Sequence, residues 1–170
     1  PDHYDKAIYQ FKNCNVKYIY GWKSCNELSL IPGSYLKIDD IGIYTHKSTD
    51  AGSGFLVKYA DNVIYHAGDH ADWEDNEPGI SYKKEIDFVA KNSFKIDVAF
   101  LPAITFSGDC PDKMLNGILY AVNKLNPDNV FFMHAINKEY LLKEIRKRSG
   151  LSNVLIPEKP GDEFRLYQVK

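Results

Sequence analysis

The sequence predicts an α/β fold, an ordered run of β-strands that gives way near residue 69 to alternating helix and strand. Two observations carry this. Between residues 34 and 67, short runs rich in β-branched and aromatic residues follow one another, separated by turn-forming residues. Beyond Asp69, segments with helical spacing of apolar residues alternate with brief apolar runs of strand length. A β-meander followed by helix-strand alternation fits half of a sandwich, one sheet with helices packed on its outer face. At 170 residues the chain suits a single domain over 1–170, and no internal repeat, low-complexity tract or long linker divides it.

Residues 5–12 have helical character, with Ala7, Ile8 and Phe11 on one side, and Val16 to Tyr20 reads as a strand. Strands follow at Ser34 to Ile38, Ile41 to His46, Gly54 to Tyr59 and Val63 to Ala67, with Asp61-Asn62 as the hairpin turn between the last two. The second half reads as helix Tyr82 to Asn92, strand Asp97 to Leu101, helix Pro111 to Leu125, strand Asn129 to Met133 and helix Lys138 to Ser149. Short strands at Val154 to Ile156 and Phe164 to Val169 complete the order.

Composition bounds the partners. With 44% hydrophobic and 26% charged residues the chain is ordinary for a globular protein. A formal charge of −2 supplies no basic stripe to neutralise phosphates, so nucleic acid is not an expected partner. The densest basic stretch, Lys143 to Arg148, is interrupted by Glu144 and reads as a solvated helix face. Cys14, Cys25 and Cys110 have neither zinc-ribbon spacing nor an even count for a disulfide framework, which favours a reducing, cytoplasmic setting and leaves export open. No run approaches the roughly 18 apolar residues of a membrane span.

Three apolar, β-rich runs end at residues able to bind metal: Ile41 to Thr45 leads to His46, Asn62 to Gly68 leads to Asp69, and Asn129 to Met133 leads to His134. A strand that stops at such a residue places it on the rim of a sheet, where side chains distant in sequence converge on one ion. The chain also opens Pro1-Asp2-His3. This ordered set, Asp2-His3, His46, Gly68-Asp69-His70 and Met133-His134, resembles the metallo-β-lactamase superfamily, whose signature runs HxHxDH, a lone His, an Asp in a strand-Gly-Asp turn and a final His. The segments Ile64 to Asp69 and Asp97 to Pro102 are most similar to the branch of small metal-dependent hydrolases that includes the ascorbate-phosphate lactonase.

The resemblance implies an αββα sandwich. It also implies metal ligands at Asp2, His3, His46, Asp69 and His134. The HxH that opens the signature does not stand before Pro1, so the domain is expected to be N-terminally incomplete and to lack its first strands. Asp2, His3, Asp69 and His134 would then form one site, and His46 would remain from the other. An exposed apolar sheet surface, and with it homo-oligomerisation, is expected where those strands belong.

The donor set suits zinc, or manganese or iron, with two ions in the complete protein. Asp69 is the natural bridge between them, and Asp2 would both bind metal and orient the nucleophile. The expected activity is hydrolysis of a small ester, lactone or phosphoester by metal-bound hydroxide. The alternatives are a non-catalytic metal-binding or interaction domain retaining part of the site, and a nucleic-acid-processing hydrolase of the same fold.

Each assignment has a plainer competitor. Gly68-Asp69 is also an ordinary turn sequence, His134 also reads as a buried or capping histidine, and the loop after His46 could serve the site in its place. His66, inside its strand, reads as a packed, hydrogen-bonded histidine, with support of the ligands as the other possibility. His70 and Trp73 are expected to meet substrate, against simple surface exposure for His70. Thr105 lies in a loop placed beside the metals by resemblance; at its end Asp109 either caps the next helix or leaves that helix N-terminus to an anion. Cys110 has no local partner that would make it a nucleophile.

Overall fold

The structure is a computed structural model that describes residues 5–22, 28–73, 81–93, 95–103, 112–135 and 137–166, the side chains of 12–14 excepted. A 3₁₀ helix, Lys6–Cys14, leads into two short strands, β1 (Ile19–Tyr20) and β2 (Leu28–Ser29), which pair in parallel. Seven strands then form one sheet in sequence order: β3 (Tyr35–Ile38), β4 (Ile41–Lys47), β5 (Ser53–Tyr59), β6 (Asn62–His66), β7 (Val98–Pro102), β8 (Asn129–Met133) and β9 (Val154–Leu155). From β3 to β6 the pairing is antiparallel, and from β6 to β9 it is parallel.

The parallel half fixes where the helices go. Helices α1 (Tyr82–Asn92), α2 (Asp112–Leu125) and α3 (Lys138–Ser149) are the crossovers between β6, β7, β8 and β9. Each crossover moves one strand along in the same direction, so right-handed connections put all three helices on one face. Alternation in β6 agrees: Val63 and Tyr65 are buried and Asn62, Ile64 and His66 are not. Val63, Tyr65, Ala99, Leu101, Val130 and Phe132 share one core with Ile86 and Val89 of α1, Leu115 and Ile118 of α2, and Leu141 and Ile145 of α3. A side chain such as Ile86, removed completely from solvent, contributes about 1.5–3 kcal/mol.

Helix signals are local. Tyr82, Ile86 and Val89 recur at i, i+4 and i+7 to make the buried stripe of α1. The Asn137 side chain accepts from the Tyr140 N–H at 3.1 Å to start α3, and Gly150, at φ +69°, ends it. Gly117 of α2 is required by a close approach: a Cβ there would sit 2.6 Å from the Asp72 Cβ. That glycine lets α2 press on the segment that follows Asp69.

The sheet with helices on one face is the expected half-sandwich. The opposite face carries a row of stacked rings, His66 on Phe100 and Phe100 on Phe131, with Phe164 set edge-on against Phe131. Ile41 and Ile64 are exposed apolar residues of this sheet. Several expectations need correction. The first helix is 3₁₀ in form. The β5-β6 turn is Ala60-Asp61 rather than Asp61-Asn62, because Asn62 pairs with Tyr59 and Ala60 takes the left-handed φ of +51°. Residues 164–166 are not a strand, and 167–169 lie outside the described residues.

Candidate metal centre

Strands β6, β7 and β8 run parallel, so their carboxyl ends share one rim, the place where α/β sheets gather ligands. At the end of β6 the Ala67 N–H donates to the Phe100 carbonyl at 3.0 Å, and the chain then turns, with the His70 N–H donating to the Ala67 carbonyl at 3.2 Å. Gly68 occupies the first central position of this turn at φ +59°, as a type II′ turn demands. A side chain there would also come within 3.2 Å of the Ser53 carbonyl oxygen. Asp69 follows, and its carbonyl accepts from the Trp73 indole N–H at 3.2 Å.

At the end of β8 the Met133 carbonyl accepts from the Ala103 N–H at 2.9 Å, tying β8 to the end of β7. His134 comes next at φ +60°. A left-handed non-glycine residue costs about 1–3 kcal/mol and typically persists where function needs it. Asp69 and His134 leave strands two apart, roughly 10 Å at the usual spacing, yet Asp69 Oδ1 lies 3.2 Å from His134 Nε2. Both stay open to solvent, with side chains 22% and 35% exposed respectively.

His46 lies apart from this pair. Its side chain is 2% exposed, and both ring nitrogens are engaged. Nδ1–H donates to the Lys47 carbonyl at 2.9 Å, and Nε2, left as the acceptor, stands 3.0 Å from the Tyr65 hydroxyl. The ring covers Gly54, where a Cβ would fall 2.0 Å from Nε2. Desolvation lowers the pKa of His46 to about 4, so the imidazole is neutral near pH 7. The structure thus makes His46 a packed core histidine instead of the metal ligand expected from the sequence.

His70 also departs from expectation. It is fully buried, not facing a cleft, because its Nδ1 accepts the Thr49 N–H at 3.0 Å and its ring packs 4.7 Å from Tyr82 and 4.9 Å from His46. Burial, helped by His46, lowers its pKa to about 3. Among the described residues its Nε2 has no hydrogen-bond partner. Trp73, expected to meet substrate, is half-buried and holds the backbone of Asp69. Asp2, His3, Thr105, Asp109 and Cys110 lie outside the described residues.

His66 is packed and hydrogen-bonded, as its sequence context suggests, but it lies on the open side of the sheet. It ends β6 on the face away from the helices, its edge exposed and its ring stacked 5.6 Å from that of Phe100. Partial burial against Phe100 lowers its pKa, the Asp69 carboxylate opposes that shift, and His134 adds to it. The signal was strand parity: with Val63 and Tyr65 inward, Ile64 and His66 must point outward.

A carboxylate oxygen and an imidazole nitrogen directed at one another on an open rim fit a divalent cation of intermediate softness. They supply two donors. Among the described residues no group of three or more His, Cys, Asp or Glu side chains is placed to hold an ion. No described helix is long and apolar enough to cross a membrane.

No protein-family model and no curated protein matches the chain. Solved structures do. The chain is similar to Igni18, a metallo hydrolase from the archaeon Ignicoccus hospitalis, with a TM-score of 0.65 and 21% identity over 96% of this chain and 76% of that one. A putative metal-dependent hydrolase from Parabacteroides distasonis gives a TM-score of 0.53 at 21% identity, over 78% of this chain and 58% of that one. The metallo-β-lactamase fold protein YhfI from Bacillus subtilis gives 0.55 at 12% identity, over 90% and 59%. The chain has the metallo-β-lactamase fold, and it spans about three fifths of the length of the last two proteins.

Proposed function

We propose that this chain of metallo-β-lactamase fold is a metal-dependent hydrolase acting on a small ester, lactone or phosphoester. The observation that carries the reading is the meeting of Asp69 Oδ1 and His134 Nε2 at 3.2 Å on an exposed rim, contributed by the ends of β6 and β8. Solved proteins of similar fold are named metallo hydrolase and metal-dependent hydrolase, and one is an isothiocyanate hydrolase.

Asp69 and His134 would hold the cation, with Asp2 and His3 as further ligands, and the imidazole-carboxylate mixture suits zinc, manganese or iron. When bound, the ion supplies Lewis acidity and an acidified water at neutral pH. The chain's own contribution is orientation. The Gly68 turn aims the Asp69 carboxylate, the Trp73 indole holds the Asp69 carbonyl, and the backbone of His134 is turned out of the strand so that its ring faces Asp69. Asp69 has two oxygens, so it can serve two ions at once.

Elemental analysis of the purified protein tests this directly. At least one equivalent of a transition metal, held at the site of Asp69 and His134 and falling sharply in Asp69→Ala, is the expected result. Undiminished metal content in Asp69→Ala would remove Asp69 from the site, and a wild type unable to take up zinc, manganese or iron would end the reading.

A further inference from the structure

We infer that His66 is a positioning residue of the Asp69–His134 centre, a role that rests on the metal-dependent reading above and deepens it. Its Nδ1 accepts the Gly68 N–H at 3.1 Å. That bond spans the step from the end of β6 into the turn, where the left-handed φ of Gly68 decides which way Asp69 leaves the sheet. In a two-residue loop between a fixed strand end and a ligand, a small rotation at Gly68 moves the Asp69 carboxylate by a comparable amount. The Trp73 indole N–H restrains Asp69 from its far side, through the carbonyl. His66 restrains it from the near side.

Stacking on Phe100 sets where the ring lies, and the Nδ1 acceptor makes the hold. The two rings lie 5.6 Å apart at 28°, and Phe100 is itself stacked on Phe131 at 5.2 Å, so the imidazole rests on a row that crosses β6, β7 and β8. Those three strands carry the rim on which Asp69 and His134 meet. Because Nδ1 accepts, the ring proton sits on Nε2, which leaves a donor on the exposed edge. A packing histidine would need none of this: any flat ring could stack on Phe100, but only one with an acceptor in the Nδ1 position holds the Gly68 N–H.

Two variants separate these roles in the full chain. His66→Phe keeps a ring on Phe100 and loses the acceptor; His66→Asn keeps an acceptor near the Nδ1 position and loses the ring. With cobalt(II) as the probe, followed by its visible absorption, His66→Phe should bind about tenfold more weakly, the order found when a group supporting a metal ligand is removed. His66→Asn should stay within about threefold of wild type. Thermal melting of the metal-free proteins should not follow that order. Imidazole nitrogen spectra of the unsubstituted protein supply a check that needs no variant, and should show the Nε2–H tautomer at His66.

Equal cobalt affinity for His66→Phe and wild type, or an Nδ1–H tautomer, overturns the role of His66 while leaving the metal site standing. Failure of the wild type to bind cobalt removes the metal reading and this role together.

Discussion

Two pairs of histidine-bearing groups share one sheet and have opposite chemistry. At the rim, Asp69 and His134 meet at 3.2 Å and stay partly open to water. Under α1, His46 and His70 lie 4.9 Å apart, closed off by Tyr65, Tyr82 and Thr49 and held neutral by burial. The difference lies in where each side chain points relative to the helix layer. His46 falls on the inward parity of β4, facing the same side as Tyr65, whereas His134 is the first residue beyond β8 and its backbone is turned into the left-handed region. Residue type does not make a ligand; access to a second donor and to water does.

The sharpest way to break this comparison is through Gly54. Gly54→Ala drives a Cβ into the His46 ring and should destabilise the fold by about 3 kcal/mol, the upper end of overpacking, while metal affinity of the folded protein is unchanged. Urea unfolding and metal titration of the same sample check both halves; a tolerated alanine would mean that the His46 ring is not held where it lies.

Acid should act on the core pair next. Both folded pKa values lie below the ordinary histidine value of 6.5, so the unfolded chain binds more protons as pH falls. The stability tied to neutral His46 and His70 is fully present above about pH 6.5 and is lost as pH falls through about 4 and about 3, at roughly 3 kcal/mol for His46. Unfolding free energies of the metal-free protein between pH 7 and 4 should show this decline equally in Asp69→Ala. A flattened decline in that variant would assign the titration to the rim.

At the rim the prediction reverses the usual sign. His134→Gly relieves a left-handed φ and should stabilise the metal-free protein by about 1 kcal/mol while abolishing tight metal binding. A loss of stability on that substitution would show that His134 is held by packing and not by its role. Trp73→Phe should give the smallest effect, about 1 kcal/mol or less from one lost hydrogen bond, with a few-fold weaker metal affinity.

The sheet and helices were legible because their signals are local. The bounds of α1 and α3 follow from apolar spacing, the Asn137 cap and Gly150, and β8 from the four apolar residues Val130 to Met133 before a turn. The pairing of β1 with β2 was not, since two-residue strands have no period to read. Asp69 and His134 were legible as strand-end residues, but that they touch depends on the strand order β6-β7-β8, which no local pattern encodes. His46 and His70 misled for one reason. Adjacency to a strand end or to Asp69 says nothing about facing, and a turn residue such as His70 is committed to the core by a distant partner, the Thr49 N–H.

Zinc titration calorimetry of Asp69→Ala beside His46→Gln, both at neutral pH, sets the rim directly against the core. Weakening by more than about a hundredfold in Asp69→Ala, beyond the loss expected from a supporting group alone, with His46→Gln close to wild type, is the result this account predicts. Tight zinc binding retained by Asp69→Ala and lost in His46→Gln would contradict it.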